Sequence, residues 1–400
     1  MAGPLAGFRV LDLSAVVSGP LTGALLADQG ADVIKVERTG EGDIQRHVGS
    51  KRNGYSGFFH VLNRGKRSLA ADLTTPEGVD LVRRLARNAD VVIQNFRPGV
   101  VNRLGIGYPD LSGDNPGLVY LSISGFGQTG PRAGERAYDP IIQCYSGIAD
   151  VQGRIHPEHP DRPEQVNMLL ADKLTALTGC QAITAALLAR SKSGQGQHIE
   201  LSMLDTLIAF SWCDVAADLI LQGDGIDQRP PVGASGTVLQ FRDGWGATMT
   251  LSQNEFEGMC RAYGLEHIVD DPRFSTMAAR QAHRVELRKI LAEAVARVTE
   301  TLTVEEARGR LTAEQVPFAR VRRLAELHDD PQVRHNQMFR EIEHPVAGLL
   351  RDARPAARFS ATPAEPGVPA PTVGQHTREI LGELGLAGHA DDYYQRGIVS

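Results

Sequence analysis

The chain has 400 residues, 42% hydrophobic and 22% charged, which excludes wholesale disorder; at about 150 residues per domain it holds roughly two to three domains. Lysine plus arginine number 42 against 48 aspartate plus glutamate, and the net charge of −6 has the wrong sign for a protein that lives on a phosphate backbone. Arginine outnumbers lysine 36 to 6, so any anion site is expected to be built from arginine.

The first third alternates strands and helices. Phe8–Leu13 reads as a strand, Gly19–Gln29 as a helix ended by Gly30, and Ala31–Glu37 as the returning strand. This β-α-β unit has the length of a parallel crossover. A second unit follows, with a strand at Ser68–Leu73 and a helix start at Thr74-Thr75-Pro76-Glu77. An apolar stripe on Val79, Val82, Leu85, Ala86 and Ala89 leads to a strand at Asp90–Asn95. Leu118–Ser124 adds another strand. The fold class is therefore α/β, a mainly parallel sheet covered by helices on both faces. Arg154–Gln165 is a Pro-rich charged loop, Leu174–Ser191 a long helix and His198–Met203 a strand. From about residue 225 the pattern changes to a Gly/Pro loop, a hairpin around Asp243-Gly244, and then mostly helices, which predicts a smaller α+β domain. Glu343–Ser360 returns to short strands, Ala361–Thr372 is a Pro-rich linker and Thr377–Leu386 a terminal helix. The expected boundaries are 1–224 for the first part of a large domain, 225–330 for the small one, and 331–400 for a segment returning to the large one.

Cys144, Cys180, Cys213 and Cys260 lie dozens of residues apart, without the spacing of a zinc ribbon or a disulfide framework. In His156-Pro157-Glu158-His159 the prolines prevent the helical spacing a metalloprotease site needs, so no metal is expected. Met1–Val10 lacks a secretory pattern, and Leu174–Ala189, the most apolar run, is broken by Thr, Gly and Gln. A soluble cytoplasmic protein, with no membrane or nucleic-acid partner, is expected.

Gly125-Phe126-Gly127-Gln128-Thr129-Gly130 is a literal GxGxxG after a strand, but Pro131-Arg132-Ala133-Gly134 follows where a dinucleotide fingerprint needs a helix. Glu37 imitates a ribose-binding acid without the glycine partner, and no GxSxG elbow occurs. The loop 125–130 reads instead as a flexible segment at the carboxyl end of a parallel strand, where open sheets place ligands.

The chain resembles the family III CoA-transferases, whose superfamily also contains the 2-methylacyl-CoA racemases. The motifs that carry this are Leu11-Asp12-Leu13-Ser14, Gly19-Pro20 and the stretch Leu25–Glu37, then Asn63–Leu69, Asn95-Phe96-Arg97-Pro98-Gly99 and Ser122–Gln128. Gly194-Gln195-Gly196-Gln197 and Gly374-Gln375-His376-Thr377 extend it nearly to the C-terminus. The resemblance implies a Rossmann-like large domain built from both chain ends, a small domain between them, and an interlocked homodimer. It implies no permanently bound cofactor, coenzyme A being substrate and product. The catalytic aspartate of the family falls on Asp172, and its CoA contacts on Val16, Val17, Arg38, Asn95, Phe96, Arg103 and Arg136.

At the start of the long helix, free N–H groups and the helix dipole are expected to favour an ionised Asp172. Such a carboxylate attacking a thioester gives an anhydride and a thiolate, a feasible leaving group. The anhydride needs cover from water, and Val232-Gly233-Ala234-Ser235-Gly236 is the expected cover. It is not the long glycine run of the formyl-CoA transferases. Racemases of the family pair a histidine with the aspartate; here the stretch is Arg136-Ala137-Tyr138-Asp139, and a phenol is a poor base at neutral pH. Tyr138 is thus expected to steady Asp172 or the substrate. The reading is acyl-CoA:carboxylate CoA transfer, with racemisation as the alternative and a non-catalytic CoA-binding homologue behind it. Arg46, His47, Val48 and Arg52 are expected near the acyl group, where arginine suits a dicarboxylate.

Overall fold

Along the short strands, Val10, Val33, Val91 and Val119 alternate with Leu11, Ile34, Val92 and Tyr120, and the two sets pack into two separate cores. A sheet that buries both sets of side chains needs a helical layer on each face. The structure, a computed structural model, describes residues 3–153, 162–214, 216–226, 237–365 and 367–400. Its central sheet holds β1 (Arg9–Asp12), β2 (Asp32–Glu37), β3 (Lys66–Ala70), β4 (Val91–Gln94), β5 (Val119–Ser124) and β6 (Gln197–Ser202). Every pairing is parallel, in the order β3-β2-β1-β4-β5-β6. That is the order of a Rossmann sheet.

The principal helices of this unit are α1 (Ser18–Asp28), α2 (Gly57–Asn63), α3 (Pro76–Arg87), α4 (Asp139–Tyr145), α5 (Leu170–Ser193) and α6 (Met203–Ser211). Leu81, Val82 and Leu85 of α3 cover one face, joined by Ile380 and Leu381 from a helix at Thr377–Glu383. Leu26 of α1, Ile183 and Leu187 of α5 and Leu207 of α6 cover the other. The chain divides into two compact units, Met1–Cys213 with Gln332–Ser400, and Asp214–Pro331. The second has its own core around Phe256, Cys260, Phe274 and Leu311. In it, the expected hairpin forms between Thr237–Phe241 and Gly244–Thr248, and a third strand, Phe318–Arg320, completes an antiparallel sheet.

Three boundaries depart from the sequence reading. β3 starts at Lys66 rather than Ser68, because the Lys66 ammonium is neutralised inside the protein and its residue enters the sheet. α5 starts at Leu170 rather than Leu174, with Leu169 at its N-cap offering no side-chain acceptor. The segment after the small domain forms a hairpin, Phe339–His344 with Gly348–Ala353, starting earlier than expected, and a last short helix, Ala390–Gln395, follows the predicted terminal one. Among the described residues no helix is long and apolar enough to cross a membrane.

Candidate active site

In an open parallel sheet, ligands bind beyond the carboxyl ends of the strands, where the strand order reverses. Here that point lies between β1 and β4. The turn after β1 is held from below by buried ions. Asp12 accepts hydrogen bonds from the Ser14 N–H (3.0 Å) and hydroxyl, and pairs with Lys66 at 2.7 Å. The Lys66 ammonium also donates to the Pro20 carbonyl and to Asn63, while Lys35 donates to the Ser14 carbonyl at 2.9 Å and pairs with Asp43 at 3.0 Å. Asn95, just past β4, clamps the turn from the side: its amide oxygen accepts from the Ala15 N–H (2.9 Å) and its amide nitrogen donates to the Ala15 carbonyl (2.7 Å). Between these anchors Val16 has φ of +72°, a conformation costly for a β-branched residue. Gly19 is required by the same tight turn, since a Cβ there would stand 2.3 Å from the Ser14 side chain.

Small residues then bring α1 and α5 together. The Thr22 hydroxyl reaches the Ala176 carbonyl at 3.4 Å, and a Cβ on Gly179 would lie 3.1 Å from the Thr22 hydroxyl oxygen. One turn earlier on each helix stand Ser18 and Asp172. A cavity of about 260 Å³ opens there, lined by Ala15, Val16, Ser18, Asn95, Phe96, Arg97, Glu135, Arg136, Tyr138 and Asp172, among others. Asp172 is the third residue of α5 and 7% exposed. Burial, and next the neighbouring Asp139 carboxylate, push its carboxyl up to about 7, against hydrogen bonds from the Ser18 N–H and hydroxyl. The expectation of a readily ionised Asp172 therefore fails: desolvation and like charge outweigh the helix terminus. An acid poised there ionises at neutral pH and keeps the basicity of a strong nucleophile.

Of the residues proposed from sequence, Val16, Asn95, Phe96, Arg136, Tyr138 and Asp172 come together at this cavity. Asn95 spends its side-chain amide on the Ala15 backbone, and Phe96 packs partly on the core. Tyr138 is 63% exposed, and Arg136 is exposed. Val17, Arg38 and Arg103 do not line the cavity: Val17 is buried, Arg38 bonds the Gly42 carbonyl and Glu41, and Arg103 lies exposed on the short helix Val100–Leu104.

The expected acyl-binding group is also absent from this wall. Arg46 is forked onto Glu37 (2.6 and 2.9 Å), donates to the Pro371 carbonyl and lies over the Phe59 ring, while Arg52 donates to the Ala347 carbonyl. The Arg46 fork, with Ser68 and the Asp43 N–H, occupies the Glu37 carboxylate, which leaves no ribose-binding acid. The loop 125–130 forms no helix, and Gly125 is needed because a Cβ would meet that of Ala137 at 2.3 Å.

Three residues at the site escaped the sequence reading: Ser18, Arg97 and Asp139. Ser18 before Gly-Pro and Asp139 before Pro140 both read as ordinary helix starts, and Arg97 as part of a motif. No set of three or more His, Cys, Asp or Glu able to hold a metal occurs among the described residues; His156, His159 and the proposed cover Val232–Gly236 lie outside them.

Residues 5–377 match the model of CoA-transferase family III. The chain is 37% identical over 399 residues to a succinate–glutarate CoA-transferase of Agrobacterium fabrum, covering 95% of this chain and 96% of that one. It is 34% identical over 393 residues to the succinyl-CoA:glutarate CoA-transferase of Mus musculus, covering 95% and 86%. The crystal structure of a CAIB/BAIF family protein from Brucella suis superposes with a TM-score of 0.80 at 33% identity, covering 96% of this chain and all of that one.

Proposed function

This chain belongs to CoA-transferase family III and is a CoA-transferase; from that premise we propose that it moves coenzyme A between an acyl-CoA and a free carboxylic acid through an anhydride on Asp172. The observation that carries the reading is the Asp172 carboxyl itself, buried at the cavity with its ionisation raised to about 7. Its carboxylate oxygen attacks the thioester carbonyl carbon, the C–S bond breaks, and the electron pair leaves on the CoA thiolate. Thiolate attack on the aspartyl carbonyl then frees the donor acid and leaves CoA on Asp172. The acceptor carboxylate repeats the steps in reverse and departs as the new thioester. No net redox change occurs and no resident cofactor is needed. Ser18, whose N–H and hydroxyl already reach the carboxyl, would receive the negative charge that builds on the aspartyl carbonyl oxygen as the thiolate adds to its carbon.

Arg136 with the Val16 turn, Asn95 and Phe96 forms the near wall for CoA, with Arg38 and Arg103 as outlying contacts. Tyr138 is assigned to steadying the substrate by hydrogen bonding. Glu135, the acid on the cavity wall besides Asp172, is paired with Arg132, and the guanidinium groups of Arg97 and Arg136 have no ion pair among the described residues. One free guanidinium facing the acyl end suits a short dicarboxylic acid, in keeping with the substrates named for the two transferase relatives. A second copy of the chain is proposed to cover the exposed apolar side chains of Leu177, Leu188, Ile208, Phe210 and Trp212 along α5 and α6, as in a homodimer. Sedimentation as a monomer at micromolar concentration would contradict it. The unbridged cysteines fit the cytoplasm, where cell fractionation should find the protein.

The test is mass spectrometry across a panel of acyl-CoA donors and acids. Asp172→Ala is expected to lose at least about 10⁴-fold in exchange while still binding CoA. Hydroxylamine added during turnover should mark Asp172 in the unsubstituted enzyme. Full turnover with Asp172 unmarked sinks the mechanism, and equal rates with long-chain and dicarboxylic donors sink the substrate class. α-Hydrogen exchange into a 2-methylacyl-CoA without CoA movement would make the protein a racemase.

A further inference from the structure

A helix normally finds the acceptor for its third N–H in its own N-cap side chain. α5 cannot, because its N-cap is Leu169. The acceptor arrives from another element. Asp139, first residue of α4 and 1% exposed, takes the Asp172 N–H on Oδ2 at 2.9 Å. Its Oδ1 accepts from the Gln143 amide at 2.6 Å. Gln143, one turn on and 2% exposed, donates to the Met168 carbonyl at 3.0 Å and accepts from the Val166 N–H at 2.9 Å. Two side chains on one face of α4 thus fasten residues 166–172, the approach and first turn of α5.

An asparagine or serine would serve as well for a cap alone. An aspartate there also sets a second carboxyl against Asp172 in a desolvated place, an arrangement that a purely structural cap would avoid. We propose that Asp139 is a positioning residue for Asp172, capping α5 from outside so that the nucleophile stands at the cavity with a second carboxylate beside it. This rests on the reading of Asp172 as the nucleophile. Ser18 from α1 bonds the Asp172 carboxyl, and the other charged or hydroxyl side chains lining the same cavity are Arg97 after β4, Ser124 at the end of β5, and Glu135, Arg136 and Tyr138 before α4; among the described residues α6 contributes only Met203 to it. Substituting Asp139 leaves all of these in place.

The experiment compares the unsubstituted enzyme with Asp139→Asn and Gln143→Ala, using succinyl-CoA and glutarate as probes. The acid limb of kcat/KM is expected near pH 7 in the unsubstituted enzyme, and about one pH unit lower in Asp139→Asn. Its kcat should fall several-fold with KM nearly constant, because the less basic carboxylate attacks less readily. Gln143→Ala removes one donor to Asp139 and loosens the same staple but keeps the carboxylate at 139, so it should lower kcat without moving the limb down. In parallel, carbodiimide labelling of the Asp172 peptide, which requires the protonated acid, is followed against pH; its midpoint should move down by the same unit in Asp139→Asn even if turnover is too slow to measure. An unmoved labelling midpoint overturns the proposal. If hydroxylamine marks no Asp172 in the unsubstituted enzyme, the nucleophile reading fails instead, and a shifted midpoint would still stand for Asp139.

Discussion

Two buried acids in the same unit are handled in opposite ways. Asp12, fully buried under the first turn, meets the Lys66 ammonium at 2.7 Å with Lys35 close by; burial would raise its carboxyl, but the two lysines outweigh it and hold it down. Asp172, 7% exposed at the cavity, has hydroxyl and amide partners but a carboxylate for a neighbour, and is raised to about 7. The first arrangement neutralises its charge and fixes a turn. The second leaves a charge under-compensated where a substrate can reach it. Burial alone therefore says little about role; the sign of the neighbours decides it.

The comparison can be broken from either end. The largest expected effect is at Asp12. Lys66→Met keeps the stem but strands a buried carboxylate, and should cost about 3–5 kcal/mol in urea unfolding. Adding Asp12→Asn should recover part of that loss; a double variant no more stable than the single one would show that the pair is not the unit that matters. A smaller effect of opposite sign is expected at Asp172. Its folded carboxyl titrates near 7 and its unfolded one near 3.9, so between those values the native state holds a proton that the unfolded state has released. Its contribution to stability thus falls as pH rises through that window, and the cost is complete above pH 7. Asp172→Asn should match the unsubstituted protein near pH 4 and exceed it by on the order of 2–4 kcal/mol at pH 8. Thermal melts at both pH values check this, and a difference independent of pH would show that Asp172 is not desolvated.

Much of this molecule was legible one segment at a time. The strand–helix alternation of the first third and the Thr75-Pro76 helix start are local patterns of periodicity and capping that formed within two or three residues of their expected places, and the Asp243-Gly244 turn closes a hairpin, though its strands span 237–248. The sequence reading failed where a side chain takes its meaning from a residue far away. Lys66 looks like a surface lysine until Asp12, 54 residues off, neutralises it inside the sheet. Arg46 looks free for a substrate carboxylate until Glu37 and Pro371 take its donors.

Sequence alone determined the α/β class, the parallel units and, through the family motifs, the aspartate at 172 as the residue to watch, because periodicity and motif order are properties of neighbouring residues. Only the tertiary structure decided how that aspartate is set. The close packing of α1 on α5 brings Ser18 to its carboxyl, and α4 brings Asp139 to its N–H across 33 residues. Desolvation and the charge of a neighbour act through space and not along the chain, so no spacing in the sequence could have told an acid raised to about 7 from an ordinary helix cap.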